Sequence, residues 1–370
     1  MSSPLTILLP RSKSLVIRCL LINYYRTKTL LPIYESDPND IKIVYNALKI
    51  IDLQRKSSSQ EKEQIIDVQD CGAAYRFLMP QLATTKGKWF LTGTPRLLQR
   101  PILPLVDFLN EHGAKIMKSP LGWQIEGETL EINSFNIDTS QTSQYASALL
   151  MCGARNSLEE IESPYFKMTQ TLLINNKLAE EAPYFSDWSS AIFWLANAIL
   201  VSDAHYFLKN LYFDGLQGDA GIASWFSKWG LSFSEKEDGI EVKHTQSMNI
   251  PKQTIDVQNT PDIAMILAVL SVCYPFELII SGLKNLNLKE SNRLDIMRSE
   301  LSRFTKIKKY STDTMTIAKR VKKLPMQIYF NSYNDHRFVM AWALFRNFGK
   351  VVIKDAECVK KSYPDFEAYL

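Results

Sequence analysis

Along this chain the apolar residues fall into two alternating rhythms. Short runs such as LTILLP read as strands, while stretches like Ser14 to Tyr25 repeat their apolar positions every three or four residues, as helices do. The alternation predicts an α/β (α+β) chain, a class that carries its chemistry in loops. One unit recurs at least three times: a short strand with a glycine, a polar loop, an amphipathic helix and a β-hairpin. The first copy, WFLTGTPRLLQRPILPLVDFLNEHGAKIMKSPLGWQIEGETLEI, has Gly93 after the strand, a helix from Ile102 to Glu111 and a turn at Leu121-Gly122. The second, FDGLQGDAGIASWFSKWGLSFSEKEDGIEVKH, has Gly215, a helix from Gly221 to Lys228 and the turn signal Asp238-Gly239. The third, LIISGLKNLNLKESNRLDIMRSELSRFTKIKKYSTDTMTI, has Gly282 and a helix around Arg293 to Phe304. Uneven spacing argues against a regular solenoid and for a few units gathered into two bodies, with a hinge around residues 183 to 186. The polar stretch Ser57 to Gln64 reads as a surface connection.

Composition narrows the field. A length of 370 residues, 46% apolar and 22% charged, suits a globular chain of two domains. Lys and Arg exceed Asp and Glu by only 43 to 39, which gives no broad basic surface for nucleic acid. The five cysteines, Cys19, Cys71, Cys152, Cys273 and Cys358, are scattered, form no metal-type spacing and fit a reduced compartment. The start MSSPLTILLPRSKS lacks the order of a secretory signal, and no run of about 18 apolar residues suggests a membrane span. The expectation is a cytoplasmic protein without metal or organic cofactor.

Several short motifs carry charge at predicted helix starts. PRSKSLVIR puts Lys13, Ser14 and Arg18 where a loop becomes a helix, as an anion site or simply as a basic helix end. SYNDHRFVMAWALF sets Asp335, His336 and Arg337 before an apolar helix, three ionisable groups that packing alone explains poorly. NLNLKESNRL crowds Lys289, Glu290 and Arg293 into one loop, though Glu and Arg three apart also make an ordinary helical ion pair. In QNTPDIAMILAVLSV, Asp262 reads as a helix cap or as a base. DCGAAYRF and GTPRLLQRP, with Gly72, Arg76, Arg96 and Arg100, look like phosphate loops. TSQTSQYASALL places Thr142, Ser143 and Gln144 before another helix, where hydroxyls usually cap.

Taken in order, PRSKSLVIR, DCGAAYRF, LTGTPRLLQRP, TSQYASALL, SPYFKMT, SDWSSA, LQGD, PDIAMILA, LKESNRL, NDHRFVMA and CVKKSYPDF resemble the signature of the EPSP synthases over essentially the whole chain. The resemblance implies the two-domain enolpyruvyl transferase fold, each domain a pseudo-threefold assembly of β-α-β units, closing like a clam. It assigns residues 12 to 184 to one domain, and 1 to 11 with 185 to 370 to the other. It implies a monomer that joins phosphoenolpyruvate to shikimate 3-phosphate and releases phosphate.

By the same likeness Ser14, Arg18, Thr142, Ser143, Gln144, Asn285 and Lys289 bind shikimate 3-phosphate, with Tyr165 lining that site. Lys13, Gly72, Arg100, Gln144, Arg293, Arg337 and Lys361 bind phosphoenolpyruvate, with His336 beside it. Glu290 donates a proton to the methylene carbon, Asp262 holds the shikimate hydroxyl and takes its proton, and Lys13 assists at both substrates. Four positions depart from the family pattern: Arg11, Ala73, Asn292, and Glu162 where a phosphate-binding serine is expected unless Ser163 takes over. The rivals are a UDP-N-acetylglucosamine enolpyruvyl transferase and a non-catalytic binder of a phosphorylated metabolite or nucleic acid. The first lacks this N-terminal motif and the paired NDHR and KES segments; the retained Lys13, Asp262, Glu290, Arg337 and Lys361 argue against the second.

Overall fold

The structure, a computed structural model, describes residues 3–57, 61–157, 161–246 and 249–369. It falls into two compact units, Lys13–Tyr184 and Phe185–Leu370, the latter completed by Met1–Ser12. Strand β1 (Leu5–Leu8) therefore belongs with the C-terminal part of the chain, where it pairs parallel with a strand some two hundred residues on.

The Lys13–Tyr184 unit opens with helices α1 (Lys13–Thr27) and α2 (Asn39–Lys56). A complete sector follows: β2 (Gln64–Asp67), α3 (Gly72–Ala83), β3 (Gly87–Thr92), the short α4 (Pro95–Leu98), α5 (Leu103–Glu111), and the hairpin β4 (Lys115–Ser119) and β5 (Gly122–Gly127). Its sheet runs β2-β3-β5-β4, with β2 parallel to β3 and the hairpin antiparallel. A reduced sector comes next, β6 (Ser134–Phe135), α6 (Gln144–Met151) and parallel β7 (Arg155–Asn156), then α7 (Pro164–Ile174) and α8 (Asn176–Glu181).

The other unit repeats the plan. Helix α9 (Trp188–Leu200), β8 (His205–Lys209), α10 (Ala223–Lys228), β9 (Leu231–Lys236) and β10 (Gly239–His244) join β1 in a sheet of order β1-β8-β10-β9. Next come β11 (Gln253–Asp256), α11 (Ala264–Cys273), β12 (Leu278–Ser281), α12 (Arg293–Leu301), β13 (Ile307–Tyr310) and β14 (Thr314–Ile317), in the order β11-β12-β14-β13. The last sector is again reduced, β15 (Gln327–Asn331), α13 (His336–Ala343) and parallel β16 (Lys350–Lys354).

The repeat legible in the sequence is thus the second half of each full sector. The first half is a parallel strand and a helix, and the sectors β6/β7 and β15/β16 have no hairpin and so no turn signal. Three expected helices change their bounds. The first begins at Leu103; in the second, Gly218–Ile222 is a 3₁₀ turn that runs into α10. The third ends at Leu301, where the Ser302 hydroxyl bonds back to the Arg298 carbonyl at 2.6 Å and competes with the helical ladder. The polar stretch Ser57–Gln64 is exposed except Gln64 where described, while Ser58, Ser59 and Gln60 lie outside the described residues.

Helices form the interior of each unit and sheets its flanks. All ten residues of α11 are buried, as its apolar run, broken by Ser271, requires. Around it pack Trp188 and Leu195 of α9 and the stacked rings of Phe330, Trp342 and Phe338, 4.5 and 5.1 Å apart. Each such large side chain contributes about 1.5 to 3 kcal/mol by leaving water. In the Lys13–Tyr184 unit Leu15, Tyr75, Leu78, Trp89, Leu149 and Phe166 do the same. The sheets alternate, as in the buried and exposed pattern of β15, so one face meets the helices. What matters for chemistry is the junction after each first strand, where the chain turns into a helix start: Gly72, Gln144, Asp262 and His336 all lie there.

Gly282, just after β12, has φ +78°, and a Cβ there would sit 2.3 Å from the Gln258 backbone nitrogen. Gly282→Ala should therefore destabilise the protein by about 2 kcal/mol, combining backbone strain and collision. Urea denaturation measures it, and an unchanged midpoint would contradict the reading.

Candidate active site

In the Lys13–Tyr184 unit the starts of α1, α3, α6 and α7 carry the polar groups. Lys13, the first residue of α1, places Nζ 3.0 Å from Asp40 Oδ2 in the first turn of α2. Arg18, one turn on from Ser14, is buried. Its Nε donates to Thr169 Oγ1 at 2.7 Å, and its terminal nitrogens donate to the Ser14 carbonyl at 2.9 Å and the Tyr165 carbonyl at 3.3 Å. The guanidinium also lies 5.0 Å above the Phe77 ring. Burial pulls its pKa down to about 10, which still leaves it charged at neutral pH.

Gly72 leaves room for a cation. A Cβ on it would fall 2.4 Å from an Arg100 guanidinium nitrogen, so the guanidinium takes space at the start of α3 that a side chain at residue 72 would claim. One turn later Arg76, named in the sequence but given no ligand role, bonds to Gln144 Oε1 at 2.8 Å and to the Pro101 carbonyl at 3.1 Å. Thr142 Oγ1 accepts from the Gln144 N–H at 3.2 Å, a local hydroxyl-to-backbone turn just ahead of α6, while the N-cap residue Ser143 makes no side-chain cap bond. Ser163, not the exposed Glu162, meets Ser143, hydroxyl to hydroxyl at 2.7 Å. The unit thus brings Ser14, Arg18 and Tyr165 together, Gly72 with Arg100, and Ser143 and Gln144 with two partners that the motif reading left outside the ligand set.

The other unit holds a dense ionic cluster. Arg293, the first residue of α12 and 1% exposed, directs four hydrogen bonds at three carboxylates. They run to Asp335 Oδ2 at 2.8 Å and Oδ1 at 3.2 Å, to Asp262 Oδ1 at 2.8 Å and to Glu290 Oε2 at 2.9 Å. Arg337 reaches the second oxygen of Asp262 at 3.3 Å and the Ser189 carbonyl at 3.0 Å, and Lys289 Nζ stands 3.7 Å from Asp262 Oδ1. Asp335, fully buried, also accepts from Ser291 Oγ at 2.8 Å and from the Arg337 backbone N–H at 3.1 Å, capping α13. His336 is buried with Nδ1 3.8 Å from Asp335. Asn285 begins the turn Leu286–Leu288, which packs on α12, and Lys361 is buried at the end of the turn Ala356–Lys361, which packs on α13.

The geometry bears on two alternatives from the sequence. Asp262 lies inside the turn Pro261–Ile263, and neither that turn nor α11 has a side-chain cap; both its oxygens are engaged by arginines. Glu290 and Arg293 do pair, but as one limb of a three-carboxylate fork rather than as a surface ion pair. Asp335 emerges as the fixed counter-ion at the back. Only its place beside His336 and Arg337 hinted at this.

The exposures order the cluster. Arg293 and Asp335 side chains are 1% and 0% exposed, while Lys289 and Asp262 retain 28% and 20%. The back is sealed, and the front is open to a solute. Burial by itself raises the Asp262 pKa, yet Lys289, Arg337 and Arg293 override it and hold the group well below the usual carboxylate range. For Arg293 burial works downward and Asp335, Glu290 and Asp262 prevail, keeping it firmly protonated. Such an arrangement fixes anions and offers cations at the same atoms. Among the described residues no three His, Cys, Asp or Glu side chains gather as metal ligands.

Repeated β-α-β sectors in two units, with acids and cations at the strand-to-helix junctions, belong to the enolpyruvyl transferase class of fold. A model of the EPSP synthase (3-phosphoshikimate 1-carboxyvinyltransferase) family matches residues 43–370. The 3-phosphoshikimate 1-carboxyvinyltransferase of Bacteroides fragilis is 30% identical over 98% of this chain and 93% of its own length. That of Pyrococcus abyssi is 28% identical over 81% and 77%. A solved EPSP synthase from Acinetobacter baumannii shares the fold, with a TM-score of 0.70 at 17% identity over 98% of this chain and 94% of that one. The chain belongs to the EPSP synthase family.

Two stability outcomes follow from the cluster. Asp335→Ala leaves Arg293 short of its buried partner and should cost about 3 to 5 kcal/mol in urea denaturation; a cost below about 1 kcal/mol would show the pair to be dispensable. Asp262 has a depressed folded pKa, so its contribution is complete above the unfolded value of about 3.9 and is lost as pH falls below it. The stability difference between wild type and Asp262→Asn should therefore hold steady from pH 5 to 8 and close below about pH 4.

Proposed function

We propose that this chain transfers the enolpyruvyl group of phosphoenolpyruvate to the 5-hydroxyl of shikimate 3-phosphate, releasing phosphate. The observation that carries this is the cluster of Asp262, Glu290, Lys289, Arg293 and Arg337 in a chain of the EPSP synthase family. Lys13, Ser14, Arg18, Thr142, Ser143, Gln144, Tyr165, Asp262, Asn285 and Lys289 hold shikimate 3-phosphate. Lys13, Gly72, Arg100, Gln144, Arg293, His336, Arg337 and Lys361 hold phosphoenolpyruvate. The Lys13–Tyr184 unit serves mainly the first substrate and the other unit supplies the catalytic carboxylates; the protein works as a cytoplasmic monomer.

In the reaction, the 5-hydroxyl oxygen forms a bond to C2 of phosphoenolpyruvate while the methylene carbon gains a proton from Glu290. Asp262 accepts the hydroxyl proton. The tetrahedral adduct then loses phosphate from C2, which carries off the proton held by Asp262, and a proton from the new methyl group, which returns to the Glu290 carboxylate as the double bond is restored. Lysine and arginine donors fixed before reaction stabilise the phosphate and carboxylate charges throughout.

The resting cluster poses a difficulty for a base, because a carboxylate clamped by three cations has little affinity for protons. Anionic substrates resolve it. Phosphate and carboxylate oxygens that engage Lys289 and Arg337 draw these cations off Asp262, and its basicity rises where the hydroxyl arrives. The acceptor is thus armed by the substrates it serves.

The experiment is a phosphate-release assay with each acceptor. Release is expected only with shikimate 3-phosphate and phosphoenolpyruvate together, and Asp262→Ala or Glu290→Gln should lower kcat about 100-fold or more. Release with UDP-N-acetylglucosamine instead, or no release with either acceptor, would refute the assignment.

A further inference from the structure

Two motifs of the sequence, SDWSSA and LQGD, have no part in these roles, yet they clasp each other beside Arg337. Gln217 bridges them, accepting from the Trp188 N–H at 3.1 Å and donating to the Ser186 carbonyl at 3.0 Å. Asp187 caps α9 through the Ser190 N–H at 2.9 Å and the Ser190 hydroxyl at 2.7 Å. Between these anchors Ser189 faces two ways. Its hydroxyl bonds to Asp219 Oδ2, and its carbonyl accepts from Arg337 at 3.0 Å.

Asp219 lies in the turn Gly218–Ile222 and is 4% exposed. Its Oδ1 makes no hydrogen bond, nor does Arg337 Nε, and both atoms are buried. A carboxyl group set so deep with one oxygen unsatisfied is costly, and nothing in packing alone calls for an acid there. Burial pushes its pKa up to about 7; Asp262 and Asp187 act in the same direction, against the Ser189 hydroxyl and Arg337. Near neutral pH a large share of the group, about half, is therefore uncharged. A neutral acid keeps its oxygen on the Ser189 hydroxyl without competing with a substrate anion for the guanidinium.

We infer that Asp219 is a positioning residue for Arg337: through the Ser189 hydroxyl it fixes the carbonyl that aims the guanidinium. The inference rests on the reading of Arg337 as a phosphoenolpyruvate ligand. Of the two contacts on the Arg337 terminal nitrogens, Asp262 is itself shared with Arg293 and Lys289, so the Ser189 carbonyl is the one that orients rather than competes.

Steady-state kinetics with Arg337→Lys, Asp219→Ala, Asp219→Asn, Ser189→Ala and the Arg337→Lys/Asp219→Ala double variant test this. Asp219→Ala should raise the KM for phosphoenolpyruvate about tenfold with kcat within about threefold, the pattern of lost ground-state positioning. Asp219→Asn keeps an oxygen for Ser189 and should restore KM to within about twofold. It should also abolish the rise in KM above pH 7 that ionisation of Asp219 imposes on the wild type. In the double variant the second change should add less than about twofold to the first, because both act at one guanidinium. An unchanged KM in Asp219→Ala, an Asn variant as impaired as Ala, or fully multiplicative effects would overturn the inference and leave the ligand reading standing. An unchanged KM in Arg337→Lys would remove the ligand reading and this inference with it. Should Asp219→Ala not fold, Ser189→Ala decides: a KM equal to wild type overturns the proposal.

Discussion

One buried guanidinium organises the ionic cluster of the Phe185–Leu370 unit. Arg293 draws Asp262, Glu290 and Asp335 from three separate segments onto a single planar fork. Three carboxylates this close would repel one another without it, and an arginine this deep would be intolerable without them. Because guanidinium donors lie in fixed directions, the fork sets the orientation of the carboxylates as well as their charge. A lysine at the same place would supply the charge without the directions.

The same electrostatics connect folding to chemistry. Asp262, Glu290 and Asp335 oppose Lys289, Arg293 and Arg337, so these six side chains balance one another in charge. A gradient of exposure then separates its tasks: the Arg293 and Asp335 pair is sealed, whereas Lys289 and Asp262 remain reachable. The buried back carries the ion pair that stability needs, and the front is what a solute can reach. The helix starts at which these residues sit add their own positive ends, which favours anions at both constellations.

Much of this was legible in the sequence, for identifiable reasons. Alternating periodicity revealed the strands and helices, and Gly-containing hairpin turns exposed the full sectors. The paired strands β6/β7 and β15/β16, which have no hairpin, left no such mark. Charged residues crowded at helix starts drew attention to Lys13, Arg293 and Arg337, whereas Asp262, alone in its loop, stood out through the family resemblance. Contacts between distant segments were invisible to such reasoning. The bond from Arg76 to Gln144, the meeting of Ser163 with Ser143 and the path from Asp219 through Ser189 to Arg337 depend on sectors packing together, not on spacing. Asp262 shows the limit well: its local sequence suits a cap, and the arginines that engage its two oxygens, Arg293 from farther along its own sector and Arg337 from the last one, leave no trace in that sequence.

The claim that the direction of the Arg293 donors, and not merely their charge, arranges the acid and the acceptor is tested most directly by the steady-state rate of phosphate release in Arg293→Lys. The account predicts a folded protein, unchanged in circular dichroism, whose kcat with saturating shikimate 3-phosphate and phosphoenolpyruvate falls about 100-fold or more. A folded Arg293→Lys enzyme that turns over within about threefold of the wild type would contradict it.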